Sequence, residues 1–478
     1  MRIFNSLTRK VEDFVPMRPP RVAMYTCGPT VYSYPTIGNW RTYVLSDLVF
    51  RVLTYMGLRV EYVMNLTDVG HLTSDADTGE DKLQEKAVRE GKTAWEVAKF
   101  YGDDFVESFA KLNLSKPKLF SKATDHIKEQ IELIGEIEKA GFVYKINDGV
   151  YFDVAAYEKA GNVYGELSNL EEIKAGARVE VNPEKKDSRD FALWKFSPSE
   201  YKRDMEWDSP WGRGFPGWHI ECSAMSMKYL GKQLDIHLGG EDLLGTHHPN
   251  EIAQSEAATA RKPFCKYWVH GAFLIVDGGK MGKSKGNAFT LNDIEAGGFD
   301  PLALRYFYLT GHYRKQLNFT WEALAAAGAA LSKLRQFAAA FREQKGRTQP
   351  RGGTRDLRLS PEKLTQIDEF KKSFCDAVED DLNMPEALAV VWEMVKSNIP
   401  DYDKYELLVK FDEILGFSLS DFWGERVEVS GKAEELLRKR EELRAEKRFA
   451  EADQIREELN QMGYAIRDEE GGAVLTKI

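Results

Sequence analysis

The sequence is poor in cysteine, in long apolar runs and in excess positive charge. Four cysteines among 478 residues are too few for a disulfide framework, which favours a reduced, cytoplasmic protein. No run reaches the roughly 18–20 apolar residues that a membrane helix needs. The opening segment MRIFNSLTRKVEDF has no apolar core beside a cleavage site, so we expect no secretory signal. The net charge of −10 excludes a uniformly basic nucleic-acid-binding surface but allows local basic patches.

The composition is otherwise that of an ordinary globular protein. Hydrophobic residues make up 43% of the chain and charged residues 30%, which argues against a disordered, collagen-like or mucin-like protein. At roughly 150 residues per domain, the length suggests about three domains.

The clearest local pattern is a βαβ unit near the N-terminus. Residues 22–27 form an apolar run typical of a buried strand, and Gly28 and Pro29 interrupt it. Apolar residues at helical spacing follow between Val44 and Met56, and residues 60–64 predict a second strand. A strand, loop, helix and strand in this order predict an α/β fold whose parallel sheet binds ligands at the carboxyl ends of its strands.

The rest of the chain shows a series of shifts in pattern. Residues 80–140 are typical of helices, and 142–200 of an insertion with short strands at 149–154 and 176–181. Residues 205–275 suggest strands and loops, and 324–341 an alanine-rich helix. We expect a solvated basic linker at 345–358, helices over 360–416, and a charged helical segment at 431–462 that ends at Gly463, with short strands after it.

Thr36-Ile37-Gly38-Asn39 stands at the predicted strand-to-helix turn. A helix N-terminus offers free N–H groups and a positive dipole end, which suits a phosphate. Gly38 permits close approach of a nucleotide, and the side chains of Thr36 and Asn39 can donate hydrogen bonds. A plain capped helix start would use the same residues.

A basic loop, Lys280-Met281-Gly282-Lys283-Ser284-Lys285-Gly286-Asn287, follows an apolar run. Lysines among glycines form a loop that can close on a polyphosphate, and Lys280 and Lys283 can neutralise charge on a leaving pyrophosphate. The spacing is not that of a Walker A motif. An exposed basic hairpin is the alternative.

A metal site is suggested by His247 and Glu251, which lie four residues apart on one face of a predicted helix. With Cys27 and Cys222 they would supply two thiolates, an imidazole and a carboxylate, a set that suits zinc. Spacing alone leaves open that both cysteines are simply buried apolar residues and that His247 caps the helix. We expect the role of a buried apolar residue for Cys265 and Cys375. It also leaves the three histidines His219, His237 and His248 as competing ligands.

Taken together, a series of motifs closely resembles the cysteinyl-tRNA synthetases of class I. The motifs, in chain order, are YTCGPTVYSYPTIGN (25–39), NLTD (65–68), DFALWK (190–195), PGWHIECSAM (216–225), DIHLGGEDL (235–243), HHPNEIAQSEA (247–257), KMGKSKGN (280–287), DPLALRYFYLTGHYR (300–314) and KRFAEADQIR (447–456).

The resemblance implies a Rossmann-type catalytic domain with a connective insertion, a helical bundle and a small α+β C-terminal domain. The implied boundaries are 1–115 and 205–270 for the two catalytic halves, 116–204 for the insertion, 271–320 for a stem-contact region with the lysine loop, 321–425 for the bundle and 426–478 for the anticodon-binding domain. A cytoplasmic monomer with no membrane partner is expected.

The implied chemistry has two steps: cysteine and ATP give cysteinyl-adenylate, and the cysteinyl group then passes to tRNA(Cys). The resemblance implies one zinc ion per chain on Cys27, Cys222, His247 and Glu251, and Mg²⁺ with the ATP. It implies nucleotide contacts by Thr36, Gly38, Asn39, Asp242, Lys280, Lys283 and Ser284, and an amino-acid pocket at Thr67, Trp218 and His237. The zinc would bind the substrate sulfur as a thiolate, which separates cysteine from serine without an editing domain.

Two positions depart from the family pattern. Thr36 replaces the usual histidine of the first nucleotide signature, and Gly282 replaces the usual serine of the lysine loop. Threonine still donates one hydrogen bond but has less reach and no charge, so we expect an active enzyme with a slower adenylation step. Two alternatives stay open: a synthetase-derived ligase that couples cysteine to an amino sugar, as in mycothiol assembly, and a non-catalytic tRNA-binding paralogue.

Overall fold

The computed structural model describes residues 1–70, 81–168, 182–197, 202–282, 285–348, 360–420, 431–445, 448–462, 464–469 and 472–477. The chain divides into two compact units. The first contains Met1–Leu331, Thr354–Ile399 and Lys410–Phe417, and the second contains Ser332–Gly353, Pro400–Val409 and Ser418–Ile478. None of the described helices has both the length and the apolar character needed to cross a bilayer.

The centre of the first unit is a five-stranded parallel sheet. Its strands are β3 (Arg21–Thr26), β4 (Arg59–Leu66), β5 (Leu119–Lys122), β10 (Leu234–Gly240) and β11 (Cys265–Gly271), in the spatial order β11-β10-β3-β4-β5. All four pairings are parallel. The chain order reverses between β3 and β10, and ligands of such sheets bind at that switch point. The predicted α/β class is confirmed.

Helix α1 (Ile37–Tyr55) connects β3 to β4, as the βαβ pattern predicted. Thr36 caps its start, and Gly57, with φ +83°, takes the left-handed conformation just past its end. The buried side of α1 includes Trp40, Val44 and Leu48, which pack the helix on the sheet. Gly28 follows β3 where a Cβ would overlap the Asn65 carbonyl, so only glycine fits there.

The first unit also contains further helices and three smaller sheets. The helices are α2 (Lys82–Glu90), α3 (Ala94–Lys111), α4 (Ile127–Lys139), α5 (Val154–Lys159), α6 (Trp218–Leu230), α7 (His247–Thr259), α8 (Leu291–Ala296) and α9 (Pro301–Leu309). A two-stranded sheet pairs β1 (Arg2–Asn5) with β2 (Lys10–Asp13). The four-stranded antiparallel sheet holds β6 (Val143–Ile146), β7 (Gly149–Phe152), β8 (Phe191–Phe196) and β9 (Gly214–Pro216), and the three-stranded sheet holds β12 (Leu274–Val276), β13 (Gly279–Lys280) and β14 (Leu317–Phe319).

Further helices follow β14 along the chain. They are α10 (Trp321–Thr348), α11 (Pro361–Glu379), α12 (Met384–Lys396) and α13 (Asp401–Leu415), and the second unit adds α14 (Gly431–Ala445) and α15 (Phe449–Gln461) with the antiparallel hairpin β15 (Tyr464–Glu469) and β16 (Gly472–Lys477). Ala433, Leu443, Ala452, Ile455, Leu459 and Leu475 form an apolar cluster within the second unit.

The structure corrects several sequence expectations. The segment 205–275 contains helix α6, which the pattern did not predict, because nearly every residue from His219 to Ser226 is buried and no amphipathic periodicity remains. Strand β5 lies within the range predicted as helical and beyond residue 115, so the parallel sheet extends into the range predicted for the insertion. Four residues are too short to give a periodic signal.

One boundary also differs. Residues 345–348 of the predicted linker continue helix α10, and the rest of it, from 349 to 358, lies outside the described residues. The charged segment 431–462 is helical as predicted, and its helices are α14 and α15. The predicted strand at 176–181 and Gly463 lie outside the described residues as well.

Candidate active site and metal centre

Four side chains that are distant along the chain meet at the switch point of the sheet. Cys27 follows strand β3, where its N–H donates to the Leu238 carbonyl of β10. Cys222 lies on α6, and His247 and Glu251 lie on the first turns of α7. The Cys27 Sγ is 3.7 Å from Cys222 Sγ, 3.5 Å from His247 Nε2 and 3.5 Å from Glu251 Oε1.

The chemistry of this donor set fits zinc. Two sulfurs, an imidazole nitrogen and a carboxylate oxygen lie within 4.8 Å of one another. Cys27 is 8% exposed, and Cys222, His247 and Glu251 are at most 3% exposed. Four potential ligands converge in a dry environment, where unpaired charge would be costly.

The charges of the cluster are coupled. Burial, together with the hydrogen bond to Cys222, raises the pKa of the Cys27 thiol. Burial also opposes ionisation of Cys222 and Glu251, but the Cys27 hydrogen bond lowers the pKa of Cys222, and His237 and His247 lower that of Glu251. Burial lowers the pKa of His247, but Glu251 and Cys222 raise it by more. A divalent cation at this point would replace the His247 proton and balance the two anions.

Outer histidines fix the orientation of the inner ones. A hydrogen bond of 2.9 Å joins His219 Nδ1 to His247 Nδ1, which turns the Nε2 of His247 toward Cys27. Such outer contacts hold metal-binding histidines in one tautomer and orientation. His248 Nδ1 lies 2.7 Å from His270 Nε2, and the Nε2 of His248 is 3.5 Å from Cys27 Sγ.

These contacts create a second potential ligand set. Cys27 and Glu251 also converge with His237 and His248, whose ligand atoms all lie within 4.8 Å of one another. Two of the three histidines left open by the sequence therefore stay in competition, whereas His219 supports His247 from behind. Both sets depend on Cys27 and Glu251.

A cavity of about 300 Å³ opens beside this cluster. The described residues that line it include Cys27, Trp218, Thr36, Asn39 and Asp242. The Trp218 ring lies 4.6 Å from the His247 ring, centroid to centroid. Thr67 and His237, predicted for the same pocket, are not among the described lining residues: Thr67 accepts a hydrogen bond from Asn65, and His237 contacts Glu251 Oε2 at 3.0 Å.

A second cavity, of about 540 Å³, shares part of the first one's lining. Thr36, Asn39, Thr42, Gly240 and Asp242 line both. The second cavity continues along residues 271–275 to Lys280, Met281 and Gly282. The structure thus brings the two nucleotide signatures to the same space, and a Cβ added to Gly38 would lie 3.1 Å from the Met281 methyl carbon.

Thr36 and Asn39 form a capping box at the start of α1. The Asn39 Oδ1 accepts from the Thr36 N–H at 2.9 Å and from the Thr36 hydroxyl at 2.8 Å. The Thr36 Oγ1 accepts in turn from the Asn39 N–H. The helix cap that the sequence offered as an alternative is therefore present, and the same two residues line both cavities. The cap fixes the Asn39 amide with its nitrogen as the remaining donor.

The lysine loop is described only in part, since Lys283 and Ser284 lie outside the described residues. Asn287 links the two sides of this loop: its Oδ1 accepts from the Gly282 N–H at 2.9 Å, and its side-chain nitrogen donates to the Lys280 carbonyl. Lys280 and Asp242 line the second cavity. Sequence reasoning missed Arg41, a buried residue of α1 that donates to the carbonyls of Ala272 and Phe273 and so holds the wall of the second cavity. No motif marks it.

Comparisons with known proteins place this fold and site in a class. Residues 13–329 match the family described as tRNA synthetases class I (C) catalytic domain. Residues 373–398 match the DALR domain, and residues 426–473 match the Cysteinyl-tRNA ligase anticodon binding domain. Among solved structures, a methionyl-tRNA synthetase of Mycobacterium tuberculosis in complex with methionyl-adenylate aligns with a TM-score of 0.56 at 16% identity, covering 83% of this chain and 90% of that chain. That similarity concerns the fold alone.

Curated relatives give the family. "Cysteine--tRNA ligase 1" of Burkholderia lata is 46% identical over 471 residues, covering 98% of this chain and 95% of the relative. "Cysteine--tRNA ligase" of Treponema denticola is 41% identical over 496 residues, with both chains covered completely, and that of Thermus thermophilus is 41% identical over 486 residues, covering 98% of each. The chain therefore belongs to the cysteine--tRNA ligase family of class I tRNA synthetases, which confirms the resemblance found in its motifs.

Proposed function

We propose that this chain activates L-cysteine with ATP and transfers the cysteinyl group to the 3′ end of tRNA(Cys). The observation that supports this most directly is the continuity of the site. A cluster with the donors for zinc lies at one end of the first cavity, and the other end joins the second cavity through Thr36 and Asn39. An amino acid and a nucleotide fit side by side in this arrangement.

The first step joins two anions. A carboxylate oxygen of cysteine attacks the α-phosphorus of ATP, the bond to the bridging oxygen breaks, and pyrophosphate leaves with its Mg²⁺. We assign Gly38, Asn39 and Thr36 to the phosphates at the start of α1, where the helix dipole is positive. Lys280 and Lys283 neutralise charge on the departing pyrophosphate, Ser284 of the same loop donates a hydrogen bond to the nucleotide, and Asp242 binds the ribose.

In the second step, a hydroxyl of the terminal adenosine attacks the carbonyl carbon of the adenylate, and AMP leaves. The match of residues 426–473 to an anticodon-binding family supports tRNA as the acceptor. An amino-sugar acceptor would need no such region. We retain the domain boundaries expected from the sequence, with the difference at β5 noted above, and a cytoplasmic monomer as proposals.

Selection of cysteine is assigned to the metal centre. A zinc ion on Cys27, Cys222, His247 and Glu251, one per chain, would bind the thiolate of the substrate, whereas a serine hydroxyl is a harder and far less acidic ligand. A pocket that reads shape alone separates such near-isosteres by only about 100-fold. Trp218 forms the adjoining wall, and His237 acts on the site through Glu251. Thr67 supports the cavity from outside its lining.

Two assays test the proposal. ATP–pyrophosphate exchange with zinc-loaded protein should require cysteine and should be at least about 100-fold weaker with serine. Charging of transcript tRNA(Cys) should follow. Exchange without charging would favour the amino-sugar ligase, and no exchange at all would favour a non-catalytic paralogue.

A further inference from the structure

Lys82 is a cation in the first cavity that no motif accounts for. It is the first residue of α2 and lines the cavity together with Cys27, Trp218 and Thr36. Among the described lining residues only Lys82 and Asp242 carry a charge. The Lys82 ammonium lies 5.9 Å from the centre of the Tyr32 ring, a cation–π contact that holds it over the cavity wall.

The start of α2 is firmly anchored. Asp81 caps the helix by accepting from the N–H groups of Leu83 and Gln84, and it forms an ion pair of 2.5 Å with Arg203. The side chains of Asp81 and Arg203 are 4% and 1% exposed, and Arg203 also donates to the Gly70 carbonyl. A Cβ on Gly70 would overlap the Asp81 carboxylate. The backbone at Lys82 is therefore held in place by the contacts of its neighbour Asp81, and the side chain reaches the cavity from this anchored helix start.

Other cations on α2 and just after it already form ion pairs. Lys86 lies 3.0 Å from Glu90, Arg89 lies 2.6 Å from Glu85, and Lys92 lies 2.9 Å from Glu90. Lys82 forms no ion pair with any residue that the structure describes. A cation in this position is suited to an anionic ligand in the cavity.

We propose that Lys82 binds the carboxylate of the substrate amino acid. This inference rests on the proposed function. With the substrate sulfur at the Cys27 end, the carboxylate points along the cavity toward Thr36 and the phosphates. A carboxylate brought beside a triphosphate is repelled by it, and a fixed ammonium offsets that repulsion. Lys82 is thus a substrate-binding residue of the adenylation step.

The test compares Lys82→Met with Lys82→Arg and with the control Lys86→Met, one helical turn further on. In ATP–pyrophosphate exchange, Lys82→Met should raise the KM for cysteine by at least about tenfold, because a hydrogen bond to a charged group is lost. The KM for ATP should change less than about twofold. Lys82→Arg should recover part of the loss, and Lys86→Met should behave as the wild type.

Cysteamine identifies the group that is bound, because it has the thiol and the amine of cysteine but no carboxylate. Its inhibition constant against cysteine should be unchanged in Lys82→Met. An unchanged KM for cysteine in that variant would overturn the proposal, and so would equal weakening of cysteine and cysteamine, which would indicate a distorted pocket. Failure of the proposed function looks different, since the wild-type protein itself would then show no cysteine-dependent exchange.

Discussion

Replacement of Cys222 by alanine tests the metal centre most directly. The Cys222 side chain is 1% exposed and its Sγ lies 3.7 Å from that of Cys27, so no bulk water replaces the missing sulfur without a rearrangement. Loss of an outer contact to a metal ligand typically costs about 10–100-fold in affinity. Loss of a direct ligand should exceed that range, so we expect zinc affinity to fall by at least about 100-fold, or about 2.7 kcal/mol.

The two ligand sets make different predictions. Both include Cys27 and Glu251, but only the first contains Cys222 and His247, and only the second contains His248. If the first set holds the ion, Cys27→Ala and Cys222→Ala both lose zinc. The zinc affinity of His248→Ala then falls by no more than about 10–100-fold, because that ring only contacts the Cys27 sulfur from outside.

The assay is zinc content by elemental analysis, followed by competition with a chromophoric chelator. Cys265→Ala is the matched control: Cys265 is a fully buried cysteine of β11 that belongs to neither ligand set. It should keep one zinc ion per chain at wild-type affinity. Wild-type affinity in Cys222→Ala, combined with loss in His248→Ala, would refute the assignment and place the ion on the second set.

Substitutions at three further positions have specific expected outcomes. Thr36→Ala removes the cap of α1 and should destabilise the protein by about 1 kcal/mol in a denaturant titration. Thr36→His should leave the rate of ATP–pyrophosphate exchange undiminished. A fall in that rate would show that the site has adapted to threonine. Burial raises the pKa of Asp68 to about 6. The folded chain therefore keeps this proton to higher pH than the unfolded chain, so the free energy of unfolding falls by about 3 kcal/mol as the pH rises from about 4 to about 7. In Asp68→Asn, the free energy of unfolding measured across this range should no longer show that fall. Arg305→Met removes the buried partner that lies 2.6 Å from Asp47, which is 2% exposed and keeps its second ion pair with Arg51. The loss of this charged contact should cost about 1.5–3 kcal/mol in the same titration, whereas a cost below about 1 kcal/mol would contradict the importance of the pair.

Local pattern predicted what depends on neighbours along the chain. The βαβ unit was visible because α1 has an apolar face and β3 and β4 are short apolar runs between turns. The spacing of His247 and Glu251 was enough to place both on one helix face, since residues four apart are adjacent on any α-helix. Periodicity did not reveal α6, because its residues from His219 to Ser226 are all buried and give no exposed polar face to contrast with an apolar one.

The sequence by itself determined the family motifs and the α/β class, because both depend on residue type and short spacing. The candidate ligands followed from the resemblance that these motifs carry. Only the tertiary structure decided which of these residues meet. Cys27 and Cys222 are separated by 195 positions, and they approach because α6 packs against the central strands β3 and β4 of the parallel sheet. The same packing places His248 and His237 where they compete with Cys222 and His247 as metal ligands, and it leaves Thr67 outside the cavity lining. Lys82 is held in position because its neighbour Asp81 forms a buried ion pair with Arg203, 122 positions further along the chain. Contacts of that kind are set by the fold and not by the order of residues.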